Sequence, residues 1–276
     1  MNRPLVSQRE RLPARHSPAS VAPRISRGLL KFFGHYSDSY LTRHFHTVRL
    51  LKNSAPKTSD ALPLVVFLNH SAWWDPLVCL LLSRRFFPKR NSYGPIDGAA
   101  LGRYKFFERL GFFGVDHKSP AGARAFLETA GAILRTPDSA LWITPQGEFA
   151  DFHARPVLLQ RGLSHLTKQV ERVAFVPLAL QYVFWEERLP EILVGFGEPI
   201  VFDAHRTLSP IAATSLFESA LTSVQDHLAD ASARRESDEW ETLCRGRAGT
   251  NVFYDAWRRT RARFRGEKFH SAHSDL

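Results

Sequence analysis

Residues 65–76 read VVFLNHSAWWDP, and the fold turns on how that stretch is parsed. Val65, Val66, Phe67 and Leu68 form an apolar run with no polar alternation, the signature of a strand buried on both faces. Asn69 and His70 end it abruptly. Asp75 then precedes Pro76, a residue favoured in the first turn of a helix, and a second apolar run, LVCLLLS, follows. Strand, polar corner and helix in this order predict one unit of an α/β sheet, with His70 beyond the strand's carboxyl end. Ligands of such sheets bind there.

Outward from this corner the alternation continues. Residues 53–63 form a loop, and a helix runs from Pro76 to about Arg85. Residues 91–120 read as strand, short helix and strand, followed by a helix over 120–135. Further strands are expected at 139–144, 173–184 and 191–200, with helices at 162–172 and about 209–235. The expected fold is α/β, with a mixed, largely parallel central sheet flanked by helices. Residues 25–51 carry Leu29, Phe32, Phe33, Tyr36, Tyr40, Leu41, Phe45 and Val48 at helical spacing, a stripe that Gly34 and the following SDS divide into two helices. That amphipathic segment, 25–52, admits two fates, packing on the core or insertion at a membrane interface. The domain at 60–240 is thus preceded by a disordered leader at 1–24 and followed by a basic tail at 241–276.

The chain has 276 residues and a formal net charge of +10, which calls for an anionic partner. The tail segment AWRRTRARFRGEKF (256–269) interleaves arginines with aromatics, which suits an anionic membrane surface. No nucleic-acid reader motif accompanies it, so no nucleic-acid partner is expected. Two cysteines, Cys79 and Cys244, build no disulfide framework. No apolar run of membrane-spanning length and no secretory h-region is present, and the expected location is cytoplasmic, peripheral on the inner face of the cell membrane.

His70 and Asp75 together make a base and its orienter: a carboxylate folded back across the corner fixes the imidazole tautomer. No GxSxG elbow accompanies them, and neither cysteine lies near the motif in a nucleophile's setting, so the substrate's own hydroxyl is the expected nucleophile. One His and one Asp are too few for a metal, and none is expected.

NHSAWWDP resembles the NHxxxxD block of the glycerolipid (lysophospholipid) acyltransferase family. Over roughly residues 60–200 an ordered series of blocks supports the likeness. GFFGVDH (111–117) stands where the family has a strand ending in arginine, and WITPQGEF (142–149) where it has a Pro-Glu-Gly-Thr-Arg turn. LLQRG (158–162) is similar to its Lys/Arg-Gly step, and FVPLAL (175–180) to its Val-Pro strand. The resemblance implies a glycerol-3-phosphate acyltransferase-like fold and a membrane-associated O-acyltransferase of lipid metabolism and phospholipid biosynthesis. It makes His70 the general base and Asp75 its orienter, with acyl-CoA or acyl-carrier protein as co-substrate and no cofactor. Backbone N–H groups near Gly147 or at the start of the Pro76 helix are the expected oxyanion donors. Asn69, His117, Lys118, Gln146, Gly147, Glu148, Arg155 and Arg161 are the implied substrate-binding residues.

Three positions depart from the family pattern. His117 replaces an arginine, Gln146 replaces the turn's glutamate, and Phe149 replaces the arginine two residues after Gly147. Phe149 and a neutral His117 cannot bind phosphate bidentately as arginine does. The expected acceptor is therefore a lipid-like hydroxyl compound that is not a standard lysophosphatidic acid, unless Lys118, Arg155 or Arg161 restores the missing charge. A membrane-bound lipid-binding protein of the same fold, without turnover, is the alternative.

Overall fold

The computed structural model describes residues 22–116, 119–136, 138–203, 205 and 208–247. His117, Lys118 and the arginine-rich segment 256–269 lie outside the described residues, as does all but 22–24 of the leader. A nine-stranded mixed sheet forms the centre. In chain order its strands are β1 (Thr47–Leu51), β2 (Leu64–Leu68), β3 (Asn91–Asp97), β4 (Phe112–Val115), β5 (Ser139–Ile143), β6 (Val173–Val183), β7 (Glu191–Phe196), β8 (Ile200–Phe202) and β9 (Trp240–Arg245). They lie side by side as β4-β3-β5-β2-β6-β7-β1-β9, with β8 paired to β6. β2 is central and parallel to both neighbours, β5 and β6. The antiparallel pairings are β6 with β7, β6 with β8, and β1 with β9.

The unbroken apolar run of β2 follows from having a core on each side. Successive side chains of a strand point to opposite faces. Val65 and Phe67 enter one cluster with Ile133 and Leu134 of α4 (Pro120–Leu134) and Phe217 and Leu221 of α6 (Pro210–Arg234). Leu64, Val66 and Leu68 enter the other, with Val78 and Leu82 of α2 (Asp75–Phe86) and Leu41 of α1 (Arg27–His44). Between β3 and β4 lie the short helix α3 (Gly98–Arg103) and a 3₁₀ helix (Lys105–Leu110). The helix expected over 162–172 is shorter: α5 (Gly162–His165) passes directly into a 3₁₀ turn at Leu166–Lys168.

The N-terminal segment departs from its expected form. A single helix, α1, runs through Gly34 and Ser37 without a break, and residues 47–51 are a strand rather than further helix. The reason is packing. Gly34, Ser37 and Leu41 are the buried residues of α1, and the two small ones let it approach α2 closely. A Cβ at Gly34 would stand 3.0 Å from Arg84 Nη1, the Ser37 hydroxyl donates to the Leu77 carbonyl (3.2 Å), and Asp38 is ion-paired with Arg84. The strand that follows joins the sheet between β7 and β9, so residues 47–51 and 240–245 belong to the same sheet as the central strands.

β1 is wholly buried, yet it carries Thr47 and Arg49. Glu191 at the start of β7 satisfies both, pairing with the Arg49 charge and accepting from the Thr47 hydroxyl. The carboxylate accepts from the Thr47 hydroxyl (2.6 Å), from Arg49 and from His46 Nδ1 (3.3 Å), while Arg49 also lies over the Trp185 ring. Burial pushes the Glu191 carboxyl up, but the hydrogen bonds from His46, Arg49 and Thr47 outweigh it and hold the group below its ordinary value. A carboxyl depressed in the folded state contributes stability above its unfolded pKa, and that contribution is lost as pH falls through the folded value. Glu191→Ala, which removes the carboxylate paired with the buried Arg49, is expected to cost about 3–5 kcal/mol near neutral pH. Urea denaturation should show this gap closing in acid, below the ordinary carboxylate pKa of about 4.3.

Candidate functional site

The site is built where β6 overruns its neighbour. β2 stops at Leu68, in register with Leu178, while β6 continues to Val183. The corner at residues 69–74 therefore lies against the free flank of Leu180 and Tyr182. Asn69, fully buried, exploits this: its Nδ2 donates to the Leu180 carbonyl (2.9 Å) and its Oδ1 accepts from the Leu180 N–H (2.9 Å). The side-chain amide thus adds one more ladder step beyond the strand. Its second N–H donates to Ser71 Oγ (2.7 Å). With both ends of its amide bonded inside the protein, Asn69, one of the expected substrate-binding residues, fastens the corner to β6.

The next residue is thereby aimed. His70 Nδ1 lies 2.7 Å from Asp75 Oδ2. A carboxylate only accepts, so Nδ1 carries the proton and the neutral ring keeps its lone pair on Nε2. Nε2 has no hydrogen-bond partner among the described residues, and the side chain retains 21% exposure. Asp75 opens α2, but its side chain turns back toward the corner: Oδ2 also accepts from the Ala72 N–H (3.3 Å), and Oδ1 accepts from the Tyr182 hydroxyl (2.6 Å). Burial raises the Tyr182 phenol well above its ordinary pKa, and the adjacent Asp75 carboxylate raises it further, so Tyr182 stays a donor. Tyr182 was not expected here. The signal is a hydroxyl-bearing ring, next to Gln181, at the end of a long apolar strand; such a ring needs a polar partner when buried.

The turn after β5 closes over the corner. Gln146 Oε1 accepts from the His70 N–H (2.9 Å), and the Ala150 N–H donates to the His70 carbonyl (2.8 Å). His70 is thus held by backbone and side chain from both loops. Gln146 has a positioning role that a glutamate oxygen would fill equally. Gly147 takes φ +79°, a left-handed conformation that requires glycine. Its N–H donates to the Thr144 carbonyl (3.1 Å). At the start of α2, the N–H groups of Leu77 and Val78 are both bonded to Trp74. None of these is free for an oxyanion. The next amides in the turn, Glu148 and Phe149, have no acceptor among the described residues. Phe149 lays its ring on the imidazole, with centroids 4.1 Å apart, and remains 60% exposed.

The other expected substrate ligands divide. Glu148 is exposed in the turn between Gly147 and Phe149. Arg155 is committed elsewhere: it is ion-paired with Asp226 on α6 and donates to the carbonyls of Phe152 (3.0 Å) and Ala154 (2.9 Å). Arg161 is exposed at the start of α5 and makes no ion pair among the described residues. It follows Gln160, whose N–H bonds the Pro145 carbonyl (2.7 Å), which places it beside the turn. Cys79 sits in α2 with its thiol pushed well up by burial and then by Asp75, which makes it a poor nucleophile. No group of three His, Cys, Asp or Glu side chains among the described residues converges as a metal site.

No protein-family model matches the chain, and no curated protein matches it.

The fastener has a testable cost. Asn69→Asp loses the donor to the Leu180 carbonyl and sets a carboxylate against it. Each buried group left unpaired costs about 1–3 kcal/mol, so Asn69→Asp should lower the urea midpoint strongly. Ser71→Ala, which removes only the acceptor of the second N–H, should shift it far less.

Proposed function

We propose that the chain is an O-acyltransferase that moves an acyl group from a thioester, acyl-CoA or acyl-carrier protein, to a hydroxyl of a lipid-like acceptor at a membrane surface. The observation that carries this reading is the His70–Asp75 pair with its open Nε2 and no protein nucleophile bonded to it. Among the described residues no serine or cysteine hydrogen-bonds the His70 ring, so the hydroxyl to be activated belongs to the acceptor. The proton of that hydroxyl passes to Nε2 as its oxygen attacks the thioester carbonyl carbon. Asp75 stabilises the imidazolium that forms, and Tyr182 and the Ala72 amide hold Asp75 in place. The carbon–sulfur bond then breaks, and the leaving thiolate takes the proton back from Nε2. Positioned proton transfer of this kind contributes about 10²–10⁴-fold in rate. The amides of Glu148 and Phe149 are the available donors for the tetrahedral oxygen.

The acceptor follows from Phe149. An apolar ring rests on the base at the position where the family pattern has arginine. Arg155 does not replace that charge, because its guanidinium is held by Asp226. Such a site favours an uncharged amphiphilic alcohol, a glycolipid or carotenoid hydroxyl, over lysophosphatidic acid. Two missing charge-assisted hydrogen bonds of about 1.5–3 kcal/mol each amount to a preference of about a hundredfold or more.

Purified protein, an acyl-CoA and a panel of acceptors, followed by thiol release, test the reading. Acceptor-dependent release is expected; its absence with every donor and acceptor would leave the non-catalytic lipid-binding alternative. His70→Ala should abolish transfer while keeping the fold, and Asp75→Asn should reduce it strongly but less completely. Phe149→Arg should shift kcat/KM toward lysophosphatidic acid. A wild-type enzyme that already prefers lysophosphatidic acid by a wide margin would refute the acceptor assignment and point to Arg161 or Lys118.

A further inference from the structure

α1 meets α2 through Gly34, Ser37 and Leu41, and this choice of contact leaves its aromatic stripe outside the core. Phe32 is 70% exposed and Tyr36 is also exposed. The rings do not end with the helix. From the catalytic corner, Trp73 stacks on Trp74 (centroids 4.7 Å), Trp74 meets Tyr40 (5.2 Å), and Tyr40 meets Tyr36 (6.2 Å). Tyr36 meets Phe33 (5.6 Å), and Phe33 meets Phe106 in the 3₁₀ helix (6.4 Å). Trp73, Tyr104 and Phe106 are exposed as well. Five of the exposed large apolar side chains thus lie along one ridge that starts three residues from His70.

The charge beside the ridge is predominantly positive. The Ser26 N–H donates to the Arg109 carbonyl (2.8 Å), which sets the start of α1 on the 3₁₀ helix. Arg27, Lys31, Arg103, Lys105 and Arg109 are exposed there. Asp38 is the one acid of α1 and is ion-paired with Arg84; Glu108 is the one acid of α3 and the 3₁₀ helix. Exposed Trp, Tyr and Phe flanked by Lys and Arg match the interface of an anionic bilayer, where rings enter the headgroup region and cations pair with lipid phosphates. No helix among the described residues is long and apolar enough to cross a membrane, so contact would be with one leaflet.

We propose that α1, the 3₁₀ helix and Trp73 form one docking face for an anionic lipid surface, with the mouth of the His70 site at its edge. A hydroxyl lipid then reaches His70 sideways from the leaflet, without crossing water. The docking face itself does not depend on the acyltransfer reading; only the route of the acceptor does.

The test uses the full chain and vesicles of phosphatidylcholine with or without phosphatidylglycerol. Wild type and His70→Ala should co-sediment equally, more with phosphatidylglycerol and less in high salt. The variant Phe32→Ser/Tyr36→Ser/Phe106→Ser, with an unchanged melting temperature, should lose about tenfold or more in partitioning. If it fails to fold, Lys31→Glu/Lys105→Glu replaces it and should abolish the phosphatidylglycerol dependence. Partitioning equal to wild type in these variants would overturn the face and assign binding to other segments of the chain. Vesicle-independent dimerisation of wild type, lost in the triple variant, would also overturn it and make the ridge a self-interface. Turnover on a vesicle-borne acceptor should fall with partitioning, while turnover on a water-soluble short-chain alcohol should not. Docking without turnover would refute the enzyme reading and leave the face standing.

Discussion

The site rests on the exchange of two hydrogen bonds between the Asn69 side chain and the Leu180 backbone. A strand end is ordinarily a place of divergence, since the chain leaves the sheet and its amide groups must find new partners. Here the primary amide continues the ladder for one step, and the main chain is released into a corner with a defined direction. His70 and Asp75 are then placed by what surrounds them rather than by their own bonds. Tyr182 and Ala72 fix the carboxylate, and Gln146 and Ala150 fix the backbone of the imidazole.

Much of this was written in the residues. The α/β alternation was legible because a strand buried on both faces leaves an unbroken apolar run, and β2, β5 and β6 all have one. The pairing of His70 with Asp75 was legible because the corner is local and only five residues separate them. What escaped were contacts across the sheet. Neither the overrun of β6 past β2 nor the approach of the β5 turn is encoded in a short stretch, so the sequence does not reveal the hydrogen bonds that Asn69, Gln146 and Tyr182 make across the sheet. Strand β1 is hidden for a different reason: Phe45 and Val48 continue the helical spacing of the preceding segment, and the buried Thr47 and Arg49 find their partner, Glu191, only far along the chain.

α1 shows how one periodicity can serve two faces. Its aromatics recur at helical spacing and invite the inference that they pack inward. The surface of α2 instead receives Gly34 and Ser37, because close approach of two helices favours the smallest side chains. Apolar spacing alone does not say which stripe turns toward the protein.

The overrun of β6 also has a temporal meaning. Asn69 and Leu180 are 111 residues apart, and Asp75 and Tyr182 are 107 apart. During synthesis the N-terminal half must wait for β6 to emerge before its polar corner acquires partners, so a nascent chain halted before Tyr182 carries the NHSAWWDP segment without a formed site. Closure of such long loops is entropically costly and slow relative to local helix formation. The ordered His70–Asp75 corner therefore depends on β6 having paired with β2, and not on the strands that follow it.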